Sequence, residues 1–189
     1  IYTLWHTLSL HDALPILSHF HWDHTGGLSA FLECNPDVTV YMPESFPESF
    51  RQEVKRRGAA VEMITGPQQI MDNAYSTGEM GIAIKEQALI LEINKGLILI
   101  TGCAHPQVAD IAERAVSYRG KIIHLLMGGF HLRGKNDAEV KAIIRRLKEL
   151  GVEKVAPSHC TGENAIRLFR EQWGNNCIDG GLGSIIKLP

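Results

Sequence analysis

The sequence predicts an α/β fold, and three observations predict it. Short apolar, β-branched runs alternate with stretches whose apolar residues recur at i, i+3, i+4 and i+7, the period of a helix lying on a core. Three strand–turn–helix units follow one another in the second half, each turn rich in Gly or Pro, which is the pattern of parallel βαβ layers. The composition is that of an ordinary globular chain, with 44% hydrophobic and 21% charged residues in 189, a length that suits one domain.

Taken in order, a short helix is expected over 26–33, after a His-rich segment, and a strand over 38–42. A helix over 47–57 is closed by Gly58, a typical residue just past a helix end. A strand is expected over 61–65, and 68–74 carries no decisive period. The β-rich runs 88–94 and 96–101 are joined by Asn94-Lys95-Gly96, a hairpin signal. The strand 97–101 leads through Gly102-Cys103-Ala104-His105 into a helix opened by Pro106 at its first position, with Val108, Ile111, Ala112 and Ala115 as its buried stripe. The strand 121–127 leads through Gly128-Gly129-Phe130-His131 to a helix over 137–150 that buries Val140, Ile143, Ile144 and Leu147 and stops at Gly151. The strand 152–156 leads through Pro157-Ser158-His159-Cys160 to a helix over 163–173, and a short strand is expected over 184–188. No repeat or linker divides the chain. In layered α/β folds ligands bind beyond the carboxyl ends of the strands, and His105, His131 and His159 each stand just past one.

Several functions are disfavoured. The formal net charge is −2, which argues against a nucleic-acid partner held by phosphate neutralisation. No apolar run approaches the ~20 residues of a membrane helix. The four cysteines, Cys34, Cys103, Cys160 and Cys177, form no CxxC pair and are too few for a disulfide scaffold, so a reducing, cytoplasmic setting is expected. Residues 1–16, IYTLWHTLSLHDALPI, lack the charged start and unbroken apolar stretch of a signal peptide. Within them, 7–16 resembles the translation of a sequencing-library adapter. We read 1–16 as a leader foreign to the domain, set His6 and His11 aside, and take 17–189 as the domain.

The chemistry concentrates in His19-x-His21-x-Asp23-His24. In extended chain His19 and His21 point to one side, because side chains alternate with period two, so both imidazoles can reach one cation. Asp23 and His24 fall where the chain turns into a helix and aim at a second point nearby. Gly26-Gly27 is read as removing bulk where the backbone passes close to the site. Imidazole with carboxylate suits Zn²⁺, Fe or Mn²⁺, and the cysteine spacing suits no closed structural zinc. His124, in mid-strand, is expected to be a packed structural residue, and Cys160 a small buried one rather than a nucleophile. Arg133 and Lys135 stand where a phosphate or carboxylate could bind, a solvated loop being the default. Gly180-Gly181-x-Gly183 precedes a strand and not a helix, so it is no phosphate loop.

The run from Leu17 to Leu28, LSHFHWDHTGGL, resembles the hallmark of the metallo-β-lactamase superfamily, HxHxDH followed by Thr-Gly-Gly-Leu, and the resemblance extends from there to the C-terminus. It implies an αββα sandwich, here incomplete at the N-terminus, with two divalent metal ions, Zn²⁺ first and Fe or Mn²⁺ otherwise. His19 and His21 would hold the first, Asp23 and His24 the second. His159 matches the superfamily's last histidine ligand to the second, and His105 is our choice for a further ligand. The middle of the site departs from the common pattern: no histidine lies between His24 and His105, and Gly102-Cys103 stands in the place of a Gly-Asp whose carboxylate bridges both ions. His105 or Cys103 takes up a vacated role, His105 being preferred. Cys103 and His131 otherwise contact substrate or orient a ligand.

The activity implied is metal-dependent hydrolysis. A cation pair lowers the pKa of a water from 15.7 toward ~7, and the hydroxide attacks a small ester, lactone, amide or phosphate, with Asp23 as the catalytic residue orienting it. The set TGCAH, GGFHL and PSHCTG resembles a narrower branch labelled 7,8-dihydropterin-6-methyl-4-(ribofuranosyl)aminobenzene-phosphate synthase, as in methanopterin biosynthesis. That label implies transfer of a pterin pyrophosphate to an aminobenzene acceptor and stands as the alternative. A third reading is a truncated metal-binding fragment without activity. The partner expected is a small-molecule substrate, with neither nucleic acid nor membrane.

Overall fold

A computed structural model describes residues 13–181 and 183–187 of the chain. His6, His11 and the adapter-like residues 7–12 lie outside the described residues.

Two β-sheets with separate apolar cores meet where residues 17 and 18 pass residue 87. The smaller pairs β1 (Thr39–Pro43) with β2 (Ala60–Ile64) in parallel, Thr39 opposite Ala60 and Pro43 opposite Ile64. On the other side of β1, Tyr41 donates its N–H to Pro15 O and accepts from Leu17 N, both at 2.9 Å, so the stretch 15–17 pairs with β1. The expected helix over 26–33 is two: α1 (Trp22–Thr25) starts inside the His-rich motif, and α2 (Leu28–Cys34) follows a break at Gly26-Gly27. Between β1 and β2 lies α3 (Glu48–Arg56), with Glu48 in its first turn and Lys55 and Arg56 in its last, which complements the helix dipole. Gly58 follows at φ +97°, the left-handed position expected of it. Leu17, Leu28, Leu32, Val40, Met42, Phe46 and Val54 form this core.

The larger sheet runs β3-β4-β5-β6-β7-β8. The stretch without a decisive period becomes β3 (Gln68–Met71) and β4 (Ala74–Ser76), a hairpin turning at Asp72-Asn73, with Asn73 at φ +60°. Its period was hidden because β3 reads Gln-Gln-Ile-Met and buries neither face. The hairpin β5 (Leu89–Ile93) and β6 (Gly96–Thr101) is antiparallel as expected, and β6, β7 (Ile123–Gly129) and β8 (Lys154–Ser158) are parallel. The last two strands end later than their apolar runs suggest, because Gly128 and Gly129 stay paired opposite Pro157 and Ser158. Pro157 is tolerated near the end of a border strand, where its missing N–H breaks no inner ladder.

The crossover helices α4 (Val108–Arg119) and α5 (Asp137–Glu149), with the terminal α6 (Glu163–Trp173), pack on one face. All four expected α4 residues are buried, together with Val140, Ile144, Leu147 and Phe169, while Ile143 is only partly covered. A capping box of Asn136 and Glu139 starts α5. Pro106 does not open α4: Gln107, at φ +80°, is its N-cap. The turn is longer than read because a buried carboxylate, Glu86, takes the N–H groups of residues 103–105. Among the described residues, 184–187 form no strand, and Ile185 is exposed. No described helix is long and apolar enough to cross a membrane.

Candidate metal centre

Four chain segments deliver the site: the extended run from Pro15 into α1, and the three loops leaving β6, β7 and β8. Those loops carry left-handed residues, Ala104 at φ +61°, His131 at +51° and His159 at +51°. For side chains other than glycine this costs about 1–3 kcal/mol each and persists where the surroundings hold it. Two glycines let the loops cross. A Cβ on Gly102 would come within 2.2 Å of Ser18 Oγ, and one on Gly129 within 2.4 Å of Gly102 O and 2.8 Å of Cys160 Sγ. The expected role of Gly26-Gly27 is therefore corrected: a Cβ on Gly26 would meet Trp22 O, within its own helical turn, and one on Gly27 meets nothing.

Four groups of three donor atoms result among the described residues, two of them built on Cys103 (with His19 and His24, and with His159 and Cys160) and two made of the expected ligands alone. His19, His21 and His105 offer atoms within 4.8 Å of one another, as do Asp23, His24 and His159. In the first, His19 Nε2 and His21 Nδ1 are 3.1 Å apart. In the second, His24 Nε2 and His159 Nε2 are 3.2 Å apart, and Asp23 Oδ2 stands 3.4 Å from each. Donors bound at about 2.0–2.1 Å to a tetrahedral cation lie about 3.3–3.4 Å apart, so the second triad has the edges of a ligand face. The rings of His19 and His24, one from each triad, are 4.2 Å apart between centroids. Residues separated by 135 positions, His24 and His159, thus share one site.

Electrostatics match this role. Burial pushes the His19 imidazolium down to about 4, against the attraction of Glu86 and with the neighbouring imidazoles. Burial also lowers His24, Asp23 opposing it. Both rings are therefore neutral donors near pH 7. Partial desolvation pushes Asp23 up, but its own backbone N–H, His24 and His159 together draw it below the usual carboxylate range, so it is ionised.

Cys103 is buried, its Sγ 3.3 Å from His24 Nε2 and within 4.8 Å of donors on His159 and Cys160. The side-chain hydrogen bond between Cys103 and Cys160, with burial second, pushes the Cys103 thiol up, and Cys160 Sγ also lies 3.5 Å from Cys103 O. Cys160 is pushed down to about 5 by the same bond, burial opposing and His131 assisting. His131 enters no donor triad: it is exposed, its ring 4.5 Å from that of His105. With Arg133 it lines a cavity of about 490 Å³ shared with His21, Asp23, Cys103, His105, His159 and Cys160. His124 stays apart in β7, buried, its Nδ1 2.6 Å from Glu153 Oε2.

Sequence reasoning missed Ser18 and Glu86. Ser18 Oγ sits 3.0 Å from His19 Nδ1 and 3.5 Å from His24 Nδ1. Glu86, between Lys85 and Gln87, reads as a surface residue but is fully buried behind His19 and His105. Nothing in its local pattern announces this.

Residues 16–159 match the family model described as Metallo-beta-lactamase superfamily. A relative from Methanocaldococcus jannaschii, named 7,8-dihydropterin-6-methyl-4-(beta-D-ribofuranosyl)-aminobenzene-5'-phosphate synthase, is 26% identical over 217 residues, spanning 91% of this chain and 74% of that protein. An uncharacterized protein of the same organism is 28% identical over 204 residues, spanning 90% and 77%. Among solved structures, one described as a metal-dependent hydrolase of the beta-lactamase superfamily superposes with a TM-score of 0.76 at 25% identity, over 92% of this chain and 78% of that one. A metallo-beta-lactamase fold protein from Bacillus subtilis superposes at 0.62 with 14% identity, over 93% and 77%.

Proposed function

The chain belongs to the metallo-beta-lactamase superfamily, and on that footing we propose that it is a metal-dependent hydrolase of small molecules. His19, His21 and His105 would hold one divalent cation and Asp23, His24 and His159 the other, with Zn²⁺ ahead of Fe or Mn²⁺ for this nitrogen-rich set. The observation that carries the reading is the pair of donor triads opening on one cavity of about 490 Å³.

A cation pair there supplies Lewis-acid polarisation of an ester, lactone, amide or phosphate oxygen and acidifies water at neutral pH. The protein's own groups do the rest. Asp23, ionised and directing Oδ2 toward His24 and His159, keeps Oδ1 to accept a hydrogen bond from the attacking water and orient it. Arg133 and His131, on the cavity wall, meet the substrate's polar end. Four unpaired cysteines support the reading of a reducing, cytoplasmic setting.

One observation favours transfer instead. A second cavity, of about 500 Å³ and lined by Met80–Ile84, Pro106, Gln107 and Asp110, also reaches His105, which leaves room for a second reactant beside the first. It fits the synthase-like relative, and the alternative activity is joining a pterin pyrophosphate to an aminobenzene acceptor.

Metal analysis tests the site: His21→Ala and His159→Ala should each lower bound metal, and no loss in either removes the assignment. Incubation with a dihydropterin pyrophosphate separates the reactions. Pyrophosphate release that requires the aminobenzene acceptor supports transfer, and turnover of simple esters or phosphates without an acceptor supports hydrolysis.

A further inference from the structure

We propose that Glu86 is the positioning residue of the buried triad, fixing the 102–105 turn and holding His105 so that Nε2, and not Nδ1, faces the cation position. The proposal rests on the ligand reading above. The Glu86 side chain is fully buried, and both its oxygens are occupied. Oε1 accepts from Cys103 N at 2.8 Å and Ala104 N at 2.9 Å. Oε2 accepts from His105 N at 3.0 Å and His105 Nδ1 at 2.8 Å, and lies 3.7 Å from His19 Nδ1.

Four N–H groups of one turn therefore converge on a single carboxylate, which is what makes burying that charge tolerable. An imidazole whose Nδ1–H is donated presents its Nε2 lone pair, so the carboxylate selects the tautomer as well as the ring orientation. Glu86 is itself pinned. It exchanges backbone hydrogen bonds with Met80, both 2.9 Å, closing a hairpin whose tip, Ile82 to Ile84, lines the cavity of about 500 Å³ that reaches His105 and a further one of about 340 Å³ that reaches His21. In Glu86→Gln an amide NH₂ would replace one acceptor and face N–H groups it cannot satisfy.

The test reads His105 directly. In ¹⁵N-histidine-labelled, metal-free protein, with His105→Ala supplying the assignment, His105 should be the Nδ1–H tautomer. An Nε2–H tautomer overturns the proposal, and this measurement needs no Glu86 variant to fold. In Zn²⁺ titrations followed by calorimetry, Glu86→Gln should weaken one of two steps by about 10–100-fold, leave the other unchanged, and add nothing in a His105→Ala background. Wild-type affinity in both steps, or a full further loss in that background, also overturns it. Failure of the ligand reading looks different: metal binding indifferent to His21→Ala and His159→Ala, whatever the tautomer.

Discussion

The two donor triads use similar side chains in opposite surroundings. His19 is fully buried, the His105 side chain is 7% exposed, and a buried carboxylate stands behind both. The side chains of Asp23, His24 and His159 are 34%, 16% and 43% exposed, and the support behind His24 is a hydroxyl, Ser18 Oγ, at 3.5 Å. One triad is held in place before any ion arrives. The other sits on a short helical turn and a strained loop, where donors can rearrange around an ion or a substrate. The centre thus combines a fixed half with an adaptable one.

The largest expected effect follows from that asymmetry. His105→Ala removes a donor from the preorganised half and should weaken its ion by more than the ~10–100-fold typical of losing a ligand's outer partner. His159→Ala should cost only the exposed ion. Equal, independent losses in calorimetric Zn²⁺ titrations would break the contrast.

A second effect, smaller, concerns order of release. Stepwise addition of a chelator such as dipicolinate should strip one ion before the other, leaving a half-loaded protein in which His159→Ala changes nothing further. A single cooperative release, followed by metal content after desalting, would mean that the triads act as one unit.

The crossing loops come next. Gly129→Ala puts a methyl group 2.4 Å from Gly102 O and 2.8 Å from Cys160 Sγ. One contact is backbone and cannot move cheaply, so a loss of about 1–3 kcal/mol is expected, the range for overpacking, read as a lowered Tm. Gly27→Ala meets nothing within 4 Å and serves as the control. If both fall equally, loop crossing is not what these glycines serve.

What was legible in the sequence follows the same division. The α4 stripe and the β5–β6 hairpin were readable because period and turn chemistry are local. The donors His19, His21, Asp23 and His24 stood out because four ligating residues crowd into six positions, and His105 and His159 because each stands just past a strand. Glu86 was not legible: its burial comes from a turn 17–19 residues later folding over it. For the same reason the start of α4 was misplaced, since Pro106 suits a first helical position until three preceding N–H groups are drawn elsewhere. The hairpin β3–β4 escaped because a strand with neither face buried has no binary pattern to read.

The smallest effect expected on the folded protein, and the one that sharpens the contrast most, is at Arg133. It lines the 490 Å³ cavity from the exposed side, and among the described residues no carboxylate pairs with it, whereas Lys85 has Glu79 at 2.7 Å and Lys135 has Glu139 at 3.8 Å. An exposed cation without a partner contributes little to folding, so Arg133→Ala should change stability by no more than about 0.5 kcal/mol and leave both ions bound. If the adaptable half is where substrate is gripped, inhibition by inorganic phosphate should nevertheless weaken several-fold in this variant, with turnover of a neutral ester unchanged. Undiminished phosphate inhibition would move anion recognition to the cations alone and leave the rim a passive boundary.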